Sequence, residues 1–295
     1  MGGPAATIAL ADRKGPGMEL RLDGLAARHP AAKPGALPAL LDIDLRIGAG
    51  EQVAVIGPSG AGKTTLLQVM SVALQPSAGQ LRLDETPPWA LSHRQRQRLR
   101  GRLFVAPQVP PLPPRQRVVT SVLAGQLPAL SLWASVRSLF YPRDIAAAFE
   151  ALEAFDLGDK LFDRVDRLSG GERQRVGLAR ALVSPAALWL IDEPLSALDP
   201  ARAQQAVRAL VDRTRMAGIT LVATLHQVDV ALAHFPRVIG MREGRIMFDL
   251  PREQVTRDRL QHLYSQFEHE LRGEAAVPLN DLAAAPVAPV VMHCR

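Results

Sequence analysis

The chain has 295 residues, 47% of them apolar, which is enough to bury a sizeable core and excludes disorder over most of its length. Its one cysteine, Cys294, excludes an internal disulfide, and the formal charge of +6, from 35 basic against 29 acidic residues, is unevenly spread. The opening "MGGPAATIALADRKGPG" lacks a cationic head followed by an apolar run, and no stretch approaches the ~20 unbroken apolar residues of a membrane helix, so the expectation is a cytosolic chain, neither secreted nor membrane-spanning.

Residues 1–17 read as a flexible tail, and strand signals begin at "MELRLDGL". "LDIDLRI", 41–47, alternates strictly and sets Leu41, Ile43, Leu45 and Ile47 on one face, as a half-buried antiparallel strand does. "EQVAVIG", 51–57, is a short apolar run ending at glycine, the pattern of a central buried strand, and "KTTLLQVMSVAL" follows it with helical character. "SHRQRQRLRGR", 92–102, holds five arginines and no acid, and on a helix Arg94, Arg98 and Arg102 share a face. That face suits nucleic acid, anionic lipid or plain solvent; with no aromatic residue interleaved for base stacking, a nucleic-acid partner is not expected.

Between about 86 and 165 the chain turns to Arg-rich and Pro-rich loops and helical stretches such as "DIAAAFEALEAF", with strand signal only at "RLFVAPQ", and reads as an inserted helical subdomain. Strand and helix then alternate: "ALWLID" at 187–192, a helix over 200–216 behind Pro200, "ITLVATLH" at 219–226, and a hairpin "RVIGMREGRIMFD" turning at Glu243-Gly244. Such alternation predicts an α/β fold with a mostly parallel core sheet covered by helices. A last helix is expected from about 251 to 271, and 272–295 reads as a flexible tail.

"GPSGAGKTT", 57–65, follows a predicted strand and opens a predicted helix, which is the setting a phosphate-binding loop requires. The glycines Gly57, Gly60 and Gly62 let backbone N–H groups turn inward around phosphate oxygens, with Pro58, Ser59 and Ala61 completing the nucleotide-binding loop; Lys63 adds a cation; the Thr64 hydroxyl suits Mg²⁺, and Thr65 continues the helix start. "LWLIDEP" ends a strand with two acids. Beside a phosphate loop, Asp192 is the acid expected to hold the Mg²⁺ shell, and Glu193 the one that polarises an attacking water; alone, the pair would be a solvated turn. His226 closes another apolar strand, where it is either a satisfied core histidine or a γ-phosphate contact, and Gln108 at the end of "RLFVAPQ" is either site chemistry or an ordinary polar loop residue.

Taken in order, "GPSGAGKTT", Gln108, "LSGGERQRV", "LIDEP", "SALD" and His226 resemble the ATP-binding subunits of ABC transporters over roughly residues 18–250. The resemblance implies the P-loop ABC ATPase fold over 18–271, with an antiparallel β subdomain as well as the helical one, and ATP with Mg²⁺ as ligands. It makes Glu193, His226 and Lys63 catalytic, Gln108 a Q-loop residue bridging Mg²⁺ (with Thr64 and Asp192) and a membrane partner, and Asp199 the D-loop acid. It also implies that Ser169, Gly170, Gly171 and Glu172 form a signature loop that grips ATP held by a second copy of the chain, in a head-to-tail dimer. "RHP" places His29 where the family usually stacks an aromatic ring on adenine, and an imidazole offers less surface.

"SLWASVRSLFYPRDIAAAFEALEAFDLGDKLFDRVDRLSGG" and "LHQVDVALAHFPRVIGMREGRIMFD" further resemble the ATPase subunits of phosphonate importers. That implies membrane-spanning permease partners, indirectly a substrate-binding protein, and a peripheral place on the cytoplasmic face of the cell membrane. The alternatives are a soluble ABC-type ATPase working with phosphonate-degrading enzymes or nucleic acid, or an importer of another solute. The four prolines of "VPPLPPRQR" after Gln108 predict either a stiffened coupling loop or an ordinary surface loop.

Overall fold

A computed structural model describes residues 17–29, 38–140 and 144–265, the side chains of 139 and 140 excepted. Cys294, nearly all of both expected tails, and 266–271 of the expected last helix lie outside the described residues. The strands are β1 (Leu20–Ala27), β2 (Leu40–Ile47), β3 (Gln52–Ile56), β4 (Ala78–Leu83), β5 (Leu103–Ala106), β6 (Leu188–Asp192), β7 (Thr220–Thr224), β8 (Arg237–Arg242) and β9 (Arg245–Pro251). The helices are α1 (Lys63–Met70), α2 (His93–Arg100), α3 (Val118–Leu123), α4 (Leu132–Phe140), α5 (Ile145–Glu153), α6 (Gly170–Leu182), α7 (Pro200–Ala217), α8 (Val228–His234) and α9 (Arg257–Leu263).

Two kinds of strand pattern sort into two sheets. The alternating β1 and β2 join β4 in an antiparallel sheet of order β2-β1-β4. The apolar β3, β6 and β7, buried along their whole length, form the middle of a six-stranded sheet of order β5-β6-β7-β3-β8-β9, parallel except where β9 returns as a hairpin on β8. Because side chains alternate across a strand, each middle strand feeds two cores. Val53 and Val55 of β3, with Leu188 and Leu190 of β6, pack toward α1 and the antiparallel sheet. Ala54, Ile56, Trp189 and Ile191 pack toward α3, α5, α6 and α7, where Trp189 meets Phe104 at a tilted 6.1 Å.

Four expectations are corrected. Leu41 is only half-buried, and Leu40 takes its place on the buried face, because Asp42 adopts a left-handed φ of 53° and bulges the strand opposite β1. The helix after the phosphate loop stops at Met70, since Val72 turns left-handed at φ 60°. Arg102 does not share a helix face with Arg94 and Arg98: α2 ends at Arg100, and Arg102 pairs with Asp84 at 2.8 Å. Arg100 donates to the Val72 carbonyl and Arg96 lies over the Trp89 ring, so the basic run is partly spent on the fold itself. The last helix starts only at Arg257, because β9 runs on to Pro251.

Candidate active site

Parallel strands put their C-terminal ends on one edge of a sheet, and the candidate residues collect there. β3 ends at Ile56 and its chain turns through Gly57–Gly62 into α1. The turn requires glycine at two points: a Cβ on Gly57 (φ 151°) would stand 2.1 Å from the Met241 carbonyl oxygen, and one on Gly62 (φ 98°) 2.6 Å from that of Ala39. Gly62 caps α1 without a side-chain hydrogen bond, and the helix has no acid in its first turn, so its leading N–H groups carry their positive end toward the loop. Lys63, 5% exposed, donates from Nζ to the Gly57 and Pro58 carbonyl oxygens at 2.7 and 3.1 Å and closes the loop on itself. Thr64, Ser59 and Gly60 are exposed around it, and Pro58, Ala61 and Thr65 are buried.

The neighbouring strands supply the acids and their partners. Asp192 ends β6 at 8% exposure, and its Oδ1 accepts from Thr224 Oγ1 of β7 at 2.6 Å. The same hydroxyl accepts from Glu193 N at 3.0 Å. Glu193 then turns its carboxylate between two side chains: His226 Nε2 meets Oε1 at 2.6 Å, and Gln108 Nε2 donates to Oε2 at 2.8 Å. The strand order β5-β6-β7 therefore brings Gln108, Glu193 and His226 into one hydrogen-bonded row. His226, with 41% of its side chain exposed, is no core histidine. Burial alone would raise the Glu193 carboxyl, but the hydrogen bond and charge of His226, with Lys63 nearby, outweigh it and leave it below the ordinary glutamate value.

Ser169–Glu172 and Asp199 make their hydrogen bonds at their own helix starts. Ser169 caps α6: its Oγ accepts from Glu172 N at 3.2 Å and its N–H donates to Glu172 Oε2 at 2.7 Å, a reciprocal capping box. The backbone N–H of Ser169 is the main cause holding the Glu172 carboxyl below its usual range. Gly170 faces open space, whereas a Cβ on Gly171 would lie 2.8 Å from the Ala197 carbonyl oxygen. Asp199 caps α7 by accepting from the Arg202 N–H, which with the Arg202 guanidinium 2.8 Å away lowers its carboxyl. His29 is exposed two residues past β1, beside a stretch outside the described residues.

The proline-rich loop is ordered by its neighbours. Val165 and Asp166 donate to the Gln116 and Pro114 carbonyl oxygens, so the loop after Gln108 is tied to the chain just ahead of the signature loop. It borders a cleft of about 490 Å³, largely apolar, lined among others by Val105, Pro107, Pro110, Leu127, Leu178 and Pro194. Two residues at the site escaped the sequence reading, Thr224 and Gln174, the latter bridging α6 to Glu193, Ser196 and Ala197. Their signal is polarity out of place: a threonine at the buried end of an apolar strand, and a glutamine in helical phase with Gly171 and the buried Leu178.

The comparisons agree with this geometry. The family profile described as ABC transporter matches residues 40–196. The chain is 64% identical over 278 residues to the "Phosphonates import ATP-binding protein PhnC 2" of Albidiferax ferrireducens, covering 94% of this chain and 100% of that one. It is 63% identical over 278 residues, with the same coverage, to the "Phosphonates import ATP-binding protein PhnC" of a Polaromonas species. Among solved structures, a dimeric post-hydrolysis state of the ATP-binding cassette MJ0796 bound to ADP and Pi has the same fold, at a TM-score of 0.66 and 23% identity over 79% of this chain and 98% of that one. With its phosphate loop, acidic strand end and signature helix in this order, the chain belongs to the ABC transporter family, as one of its ATP-binding cassettes.

Proposed function

We propose that the chain is the ATP-hydrolysing motor of an importer for phosphonate or a related phosphorus oxyanion. The observation that carries the hydrolytic part is the Glu193 carboxylate, kept ionised beside the phosphate loop and aimed by Gln108 and His226. The printed names of the relatives at 64% and 63% identity support the cargo.

In this reading the N–H groups of Gly57–Thr65 and the Lys63 ammonium bind the nucleotide's phosphates, Lys63 exchanging its carbonyl partners for phosphate oxygens. Glu193 takes a proton from the attacking water, and His226 holds that carboxylate while facing the γ-phosphate. The donor set fits Mg²⁺, which prefers hard oxygen ligands completed by phosphates and water: the Thr64 hydroxyl, the Asp192 oxygen that Thr224 leaves open, and the Gln108 amide oxygen. When bound it supplies positive charge to the phosphates. His29 lies against the base.

The proposal extends to architecture and partners. Residues 18–271 form the ATPase domain, with a helical subdomain over about 86–165 out of which β5 returns to the main sheet. Two copies face head to tail, so that Ser169, Gly170, Gly171 and Glu172 of each complete the other's nucleotide site, with Asp199 at the seam, an arrangement in keeping with the dimer named for MJ0796. Among the described residues no helix is long and apolar enough to cross a membrane, and permease subunits, with a substrate-binding protein beyond them, hold the chain peripherally on the cytoplasmic face. The cleft beside Gln108 receives the permease.

Glu193→Gln tests the core of this. It is expected to bind ATP, accumulate as a closed dimer in gel filtration, and hydrolyse at least ~10²-fold more slowly; undiminished turnover would refute the assignment. The cargo is tested on the intact complex: an alkylphosphonate added with the co-purified binding protein should stimulate ATP hydrolysis, and stimulation only by an unrelated solute would replace phosphonate.

A further inference from the structure

Glu193 has a φ of 47°, in the left-handed region, which a residue with a Cβ adopts only where its surroundings hold it. Two buried side chains grip the peptide groups on either side of it. On the β7 side, Thr224, 0% exposed, commits its one donor and one of its acceptor sites here, accepting from Glu193 N at 3.0 Å and donating to Asp192 Oδ1 at 2.6 Å. On the α6 side, Gln174, 4% exposed, donates from Nε2 to the Glu193 carbonyl oxygen at 3.1 Å and to Ser196 Oγ at 3.2 Å, while its Oε1 accepts from Ala197 N at 2.9 Å.

Gln174 sits one turn along the helix that the signature residues begin. Gly171, three residues earlier on the same face, is pressed against the same loop, with room for no Cβ beside the Ala197 carbonyl. The first turns of α6 therefore rest on residues 193–197 through one close backbone approach and one amide with both its donors in use.

We infer that Thr224 and Gln174 are positioning residues for hydrolysis: they fix the Glu193 peptide in its left-handed form, and Gln174 makes that form depend on the placement of the signature helix. The inference rests on the proposed roles of Glu193 and of Ser169–Gly171. In a head-to-tail pair the start of α6 meets the nucleotide on the partner while Glu193 serves the nucleotide on its own chain. Gln174 then couples the two sites through a single side chain, and hydrolysis at one site senses whether the other is filled.

The test uses the purified full-length chain with four variants, their folding checked by thermal unfolding, ATP turnover measured against ATP concentration, and equilibrium binding of a fluorescent ATP analogue measured separately. Thr224→Val removes the hydroxyl at nearly constant shape, Thr224→Ser keeps it, Gln174→Met keeps the length and removes the amide, and Glu193→Gln is the reference. The expected result is a fall in kcat of about tenfold or more for Thr224→Val and Gln174→Met with analogue affinity within about threefold of the parent, recovery of most of the loss in Thr224→Ser, and a Hill coefficient that drops toward one in Gln174→Met. Overturning results are a kcat within about twofold of the parent for either Thr224→Val or Gln174→Met, an equal loss in Thr224→Ser, or a loss of kcat matched by lost analogue binding. If Glu193→Gln itself turns over normally, the underlying reading fails; if it is silent while Gln174→Met runs at the parental rate, this inference alone fails.

Discussion

Glu193 shows how one carboxylate is made ready by opposed effects. Its half-buried position favours the neutral acid, and the hydrogen bond and charge of His226, helped by Lys63, reverse that preference. A carboxyl lowered in the folded state binds fewer protons there than in the unfolded chain. Its stabilisation is therefore complete above the ordinary value of 4.5 and is lost as pH falls through the lower folded value. The difference in urea unfolding free energy between the parent and Glu193→Gln is expected to shrink as pH is lowered from about 6 to below the ordinary glutamate value; a difference that stays flat over that range would remove the lowered ionisation as its cause. The residue's identity as a candidate was legible from "LIDEP" beside a phosphate loop. Gln108 and His226 were legible as candidates for the same site, but not as its hydrogen-bond partners, because they lie 85 and 33 residues away and meet it only through strand order.

At the scale of elements, two helix starts in one chain are prepared differently. α1 has no side-chain cap and leaves its leading N–H groups to the loop, while α6 is capped by its own Ser169 and Glu172. Ser169 accepts from Glu172 N with its oxygen and donates its backbone N–H to the Glu172 carboxylate, so the helix start is fixed by its own first turn. The adjacent glycines separate fold from function. Gly170→Ala places its Cβ in open space and is expected to change stability by no more than about 0.5 kcal/mol while lowering ATP turnover, since only the partner's nucleotide would meet it. Gly171→Ala drives a Cβ into the Ala197 carbonyl and is expected to destabilise the isolated chain by about 1–3 kcal/mol. Thermal unfolding and turnover of the two variants, measured side by side, check both; normal turnover in a stable Gly170→Ala would argue against close contact at that glycine.

For the molecule as a whole, the two sheets have to keep their relative place if the phosphate loop is to keep its shape, and polar ties hold them at one corner. Arg237 of β8 donates to Asp249 of β9, to Glu51 ahead of β3 and to the Arg46 carbonyl of β2, and the two carboxylates, Asp249 foremost, raise its own ionisation well above the usual range. At the other end of β8 the Glu243-Gly244 turn accepts from Leu41 and donates to the Ala61 carbonyl, so the hairpin also buttresses the phosphate loop. Arg237→Lys keeps the charge and loses the planar fork, and is expected to lower stability by about 1–2 kcal/mol in urea unfolding. An unchanged midpoint would mean that the Arg237 fork contributes nothing to joining the sheets.

The order of motifs, the apolar and alternating strands, and the glycine loop between β3 and α1 were all readable in the sequence, because each depends on residues within one or two turns of chain. Where periodicity failed, as at Leu41, a single left-handed residue had shifted the register. Only the tertiary structure decided that β5, β6 and β7 lie side by side, that Arg102 leaves its helix to pair with Asp84, and that Gln174 and Thr224 close on the Glu193 peptide. These contacts join segments many residues apart, and their partners are selected by the packing of whole faces rather than by any local pattern.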